Sequence, residues 1–89
     1  MKFPFQQTFE DDYIIRTFSD NVDSDELKWH YDLCERFVTC EHDTDWMVQF
    51  DNHLPQQIKK GETIHVPPFI YHRVIKGTGD LTVKIKEII

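Results

Sequence analysis

His30 and Asp32 stand two residues apart, the spacing that puts two side chains on one face of an extended chain. An imidazole and a carboxylate placed this way are close enough to grip one ion. His72 lies far along the chain on a second strand-like stretch. Two imidazoles and one carboxylate are the donor set of non-haem Fe(II) sites, which keep positions open for substrate or oxygen. Zn(II), Mn(II) and Ni(II) accept the same donors. The bland alternative is a polar pair on an exposed strand face, with a structural histidine bonded to a backbone carbonyl.

The stretch that must position His72 runs from Gly61 to Gly77. A turn at Gly61 leads into a strand over residues 62–66. Pro67-Pro68 then forces a corner, because proline fixes its backbone angle and cannot donate to a ladder. The strand beyond the corner, residues 71–76, therefore begins at a defined place, and His72 points in a defined direction.

Short strands fill the rest of the chain. Residues 13–18 are β-branched and aromatic, and an edge strand is expected around residues 3–9. Residues 19–25 are acidic and turn-rich, so they read as loop. Residues 27–31 read as strand, with Leu27, Trp29 and Tyr31 on one face and Lys28, His30 and Asp32 on the other. Further strands are expected over 36–41, 46–50, 56–58 and 81–88, the last with Leu81, Val83 and Ile85 opposite Thr82, Lys84 and Lys86. Close spacing of short strands without a helix argues an all-β sandwich, jelly roll or barrel.

The 89 residues make one domain, 1–89, with little margin of stability. Hydrophobic residues are 39% and aromatics 13%, enough for one core. A net charge of −6 disfavours nucleic acid as a partner. No apolar span or secretory segment is present, and the start Met1-Lys2-Phe3-Pro4-Phe5 is no signal peptide. These features predict a cytoplasmic protein with no membrane partner. Cys34 and Cys40 form no Cys-x-x-Cys pair, so they read as reduced thiols.

Taken with these spacings, the chain resembles a minimal single-domain cupin over roughly residues 27–89. Gly61, Pro67 and His72 stand where the second cupin motif has its glycine, proline and histidine. Phe69 takes the place of a further glycine, and Lys76 that of a terminal asparagine. The first motif has two histidines two apart and then a glutamate. Here Asp32 follows His30 in the second histidine's place, and Glu35 is the nearest acid, earlier than the family spacing. The resemblance implies a small cupin-like double-stranded β-helix, a jelly-roll barrel with no substantial helix, often dimeric. It also implies a divalent metal ion near the barrel axis. His30 and His72 would be its ligands, Asp32 would replace a histidine, and Glu35 would be a fourth ligand or an acid behind them.

Two functions compete. The first is a metal-dependent enzyme acting on a small molecule: an Fe(II) dioxygenase foremost, with lyase or isomerase chemistry close behind. The second is a non-catalytic module that holds a small ligand or serves as an oligomeric part. A homodimer is expected in either case, because a small β domain has edges to cover. A full 2-oxoglutarate oxygenase would share the His-x-Asp…His pattern, but the chain is short for that fold.

Overall fold

The computed structural model describes residues 3–89. Met1 and Lys2, which begin the start read above as no signal peptide, lie outside the described residues. The strands are β1 (Gln6–Phe9), β2 (Ile14–Phe18), β3 (Glu35–Cys40), β4 (Met47–Phe50), β5 (Gln56–Gln57), β6 (Thr63–Val66), β7 (His72–Ile75) and β8 (Leu81–Ile88). One 3-10 turn, Ser24–Glu26, is the nearest approach to a helix among the described residues.

All pairings are antiparallel. A five-stranded sheet has the order β1-β2-β8-β3-β6, and a three-stranded sheet the order β5-β4-β7. β8 is the longest strand and lies between β2 and β3. Its Leu81, Val83 and Ile85 are all buried, and opposite them on β2 lie Phe18, Arg16 and Ile14. Strand alternation sends every second residue inward, so Ile14, Phe18, Leu81, Val83 and Ile85 meet Val48 of β4 in one core. No helix among the described residues is long and apolar enough to cross a membrane.

One expected strand is absent. Residues 27–31 form only an isolated bridge, at His30 opposite His72. A ladder needs several residues in register, and this segment leaves the 3-10 turn only at Leu27. Leu27 is buried, while Trp29 and Tyr31, expected on the same face, are largely exposed.

Trp46 is fully buried, and its indole N–H donates to the Gly79 carbonyl at 3.0 Å. The residue before it anchors the turn that precedes β8. Asp45 accepts the Thr78 N–H and the Thr78 hydroxyl, each at 2.8 Å. Gly77 packs directly on this junction: a Cβ there would lie 2.7 Å from the Trp46 nitrogen and 2.9 Å from the Asp45 carbonyl carbon. Neither backbone atom can move aside without shifting the buried indole. Gly77→Ala is therefore expected to cost about 1–3 kcal/mol, the usual scale of overpacking, read from urea unfolding.

The Thr78 backbone and hydroxyl bonds hold the Asp45 carboxyl below the usual range. A depressed folded value adds stability above the unfolded pKa of about 3.9 and loses it as pH falls through the folded value. Asp45→Asn is expected to melt below the wild type at neutral pH. The gap should close as the solution is acidified below about pH 4, where the unfolded aspartate is already protonated.

Candidate metal centre

His72 opens β7, just beyond the Pro67-Pro68 corner. Phe69, at the glycine position of that corner, has φ +65°. Its N–H donates to the Asp32 carbonyl at 2.9 Å, tying the corner to the loop that carries Asp32. His30 and His72 face one another across the bridge. The His30 N–H donates to the His72 carbonyl at 3.0 Å, and the His72 N–H to the His30 carbonyl at 2.8 Å. Directly opposed residues send their side chains to the same side, and the ring centroids are 4.4 Å apart.

The backbone also sets which nitrogen carries the proton. His30 Nδ1 lies 3.0 Å from the Lys28 carbonyl, and His72 Nδ1 lies 2.8 Å from the Ile70 carbonyl. A carbonyl only accepts, so each Nδ1 donates and each neutral ring keeps its lone pair on Nε2. A carbonyl bonded to the far nitrogen is the usual support of a ligating histidine.

Asp32 completes the group, and one ligand atom from each of His30, Asp32 and His72 lies within 4.8 Å of the others. The Asp32 side chain is only 11% exposed. Arg36 Nη1 pairs with its Oδ1 at 3.2 Å. Oδ2 is buried and has no hydrogen-bond partner among the described residues, yet it lies 3.3 Å from His72 Nε2. In the neutral tautomer these two atoms are both acceptors, and either a proton on Nε2 or a metal ion resolves the contact. A proton on Nε2 would serve that one contact. A metal ion would draw on His30 as well, so the donor set fits a divalent ion.

Arg36 is itself held from behind by Glu87, whose Oε2 accepts from Nε at 3.0 Å and from Nη2 at 2.7 Å. Burial works against ionisation of Asp32, but a hydrogen bond from the His72 ring and the charge of Arg36 outweigh it and hold the carboxyl below the usual aspartate range. Asp32 is thereby kept in the charged form a metal requires. The histidine side of the group is open: His72 is 8% exposed, but His30 faces solvent.

Glu35 does not join this group. It is one residue out of phase with Arg36 on β3, and its carboxylate meets His65 Nε2 at 2.6 Å. The expected role as fourth ligand is therefore corrected, since strand alternation carries Glu35 to the outer face. His65 stands outside, with its ring stacked on Phe37. His42 is a structural residue whose Nε2 accepts the Thr82 N–H at 3.0 Å. Arg73 points outward over Trp29 and donates to Gln49.

A cavity of about 80 Å³ lies inside the barrel against His30 and His72. Its wall is largely aliphatic, Val48, Val74 and Ile64 among it, and two arginines, Arg16 and Arg36, break it. Sequence reasoning missed Arg16 and Glu87. Both occupy the inward phase of an alternating strand, Ile14-x-Arg16-x-Phe18 and Val83-x-Ile85-x-Glu87, and that misplaced charge was the available signal.

No protein-family model matches the sequence, and no curated protein matches it. Solved structures do. The crystal structures of the DMSP lyases RdDddP and RnDddQII match with TM-score 0.70 and 15% identity, over 84% of this chain and 36% of that one. An RmlC-like cupin from Shewanella frigidimarina matches with TM-score 0.69 and 14% identity, over 98% of this chain and 78% of that one. FeII HppE in complex with substrate matches with TM-score 0.67 and 12% identity, over 99% of this chain and 55% of that one. This chain thus spans about a third of the matched lyase and about half of HppE. The shared feature is the fold, a small cupin jelly roll.

Arg36 separates two carboxylates that would otherwise repel across a poorly solvated gap. Arg36→Ala is expected to cost about 3 kcal/mol, the scale for breaking a buried pair from one side, measured by urea unfolding of metal-free protein. Glu87→Gln keeps the Asp32 contact and should cost less.

Proposed function

We propose that this chain is a metal-binding small cupin that acts enzymatically on a small molecule, with His30, Asp32 and His72 as the ligands. The observation that carries the reading is the bare Asp32 Oδ2 facing His72 Nε2 at 3.3 Å. Fe(II) is the preferred ion, because two imidazoles and one carboxylate suit it and leave positions open. Mn, Ni and Zn are the alternatives. The ion would supply Lewis acidity, polarising a bound oxygen or activating water or dioxygen. The remaining work belongs to the chain. The Lys28 and Ile70 carbonyls aim the two rings, Arg36 keeps Asp32 ionised and oriented, and the aliphatic wall excludes water. Dioxygenase, lyase and isomerase chemistry all fit such a centre.

A non-catalytic module that holds a small ligand is the second reading. The two separate on whether a loaded centre turns over a substrate or only retains it. Two further proposals accompany either reading. The exposed aromatics Tyr31, Phe69 and Tyr71 cluster beside the bridge, and we assign this face to a homodimer contact. Cys34 and Cys40 are both free thiols, which suits the cytoplasm.

Protein purified without chelator should carry one divalent ion per chain by elemental analysis. Adding Fe(II) anaerobically, or Mn(II), should raise the melting temperature of stripped wild type and leave His72→Ala unchanged. Wild type without stoichiometric metal, and with a melting temperature indifferent to all four ions, would remove the proposal. For the dimer, light scattering should give about twice the 10.7 kDa chain mass. A monomer at high concentration would discard that contact.

A further inference from the structure

Arg16 is an inward-facing charge that the metal centre does not account for. On β2 it stands between Ile14 and Phe18, both buried, and opposite Val83, also buried. An arginine in the apolar phase of a strand is costly unless its donors are satisfied. Among the described residues only Nε has an acceptor, Gln7 Oε1 at 2.9 Å, and the Nη groups are not sealed from solvent. The Phe5 ring covers one face of the guanidinium at 3.8 Å. The two Nη groups donate to no acceptor among the described residues, and no carboxylate there forms an ion pair with Arg16. Asp32 and Glu87 attract it from a distance, but Arg36 already engages both. Burial, and then the repulsion of Arg36, push its pKa down to about 10.

Its surroundings describe what would satisfy it. Arg16 lines the same cavity as His30 and His72, and the wall between is aliphatic. The inner charges Arg16, Arg36, Asp32 and Glu87 sum to zero. A divalent ion at the histidines would therefore leave a surplus of positive charge, which an anion reduces.

We propose that Arg16 is the anion-receiving end of this cavity and that the ligand is a small aliphatic acid. Its carboxylate meets the free Nη groups of Arg16, its hydrocarbon body lies along the aliphatic wall, and its other end faces His30 and His72. A planar carboxylate matches the fork of a guanidinium. A neutral or cationic ligand leaves the same donors unmet. The inference rests on the proposed metal centre for the placement of the far end alone; the carboxylate contact stands without it.

The test uses butyrate, with butyramide as its neutral twin, titrated calorimetrically into Mn(II)-loaded and chelator-stripped full chain. Butyrate should bind and butyramide should not. Arg16→Met, close in size and uncharged, should weaken butyrate roughly ten- to hundredfold, the scale of a charge-assisted pair. The same variant should melt no lower than wild type, since it removes a costly inward charge. In unsubstituted protein the Arg16 Nε–H resonance should shift with butyrate and stay still with butyramide. That measurement decides the matter even where the variant fails to fold. Equal binding of acid and amide, butyrate affinity unchanged in Arg16→Met, or an unmoved resonance each overturns the inference. Arg16-dependent butyrate binding in stripped protein upholds it even if the ions fail to bind. Metal binding with Arg16-independent butyrate binding defeats it and leaves the metal centre standing.

Discussion

The carboxylate of Asp32 is pulled in two directions. One oxygen belongs to Arg36, and the other, buried and with no hydrogen-bond partner among the described residues, is turned toward Nε2 of His72 at 3.3 Å. Several parts of the barrel converge on this one group. β3 supplies Arg36, β8 supplies the Glu87 that braces it, and β7 supplies His72. Each partner alone is ordinary. Together they hold a charged acid at low exposure with an unspent lone pair, a costly arrangement that burial does not favour without a cation.

Much of this was legible in the residues. Alternation identified β8 to the residue, and the Pro67-Pro68 corner located the start of β7. The His30, Asp32 and His72 grouping followed from spacing and motif, and the structure brings those three side chains together. What failed did so for physical reasons. Residues 27–31 alternate like a strand but share one register pair with a neighbour, and pairing rather than propensity makes a strand. Glu35 is the nearest acid after the His30 and Asp32 pair in sequence, but not in space. A one-residue offset on a strand turns a side chain to the opposite face, and there it found His65. Arg16 and Glu87 escaped attention because the residue between apolar neighbours was read by its type and not by its phase.

Phe69 illustrates how a motif can be kept in shape while its residue changes. The position usually filled by glycine still adopts the left-handed conformation, now at a cost of roughly 1 kcal/mol for a residue with a Cβ. The N–H it presents still reaches the Asp32 carbonyl. In return the ring lies in the open beside Tyr31, 63% exposed. Backbone demand and side-chain identity are thus separable here.

The reciprocal pair of peptide bonds between His30 and His72 reaches beyond the geometry of the rings. These residues are distant in the chain, so bringing them together closes a long loop, and a loop of that length is entropically dear to close. An ion gripping both imidazoles would act as a removable clasp on that loop, strongest in the folded chain and nearly worthless to the coil. Departure of the ion and opening of the barrel would then be linked events. The lifetime of the loaded molecule would be governed as much by how rarely the clasp lets go as by the depth of the apolar core.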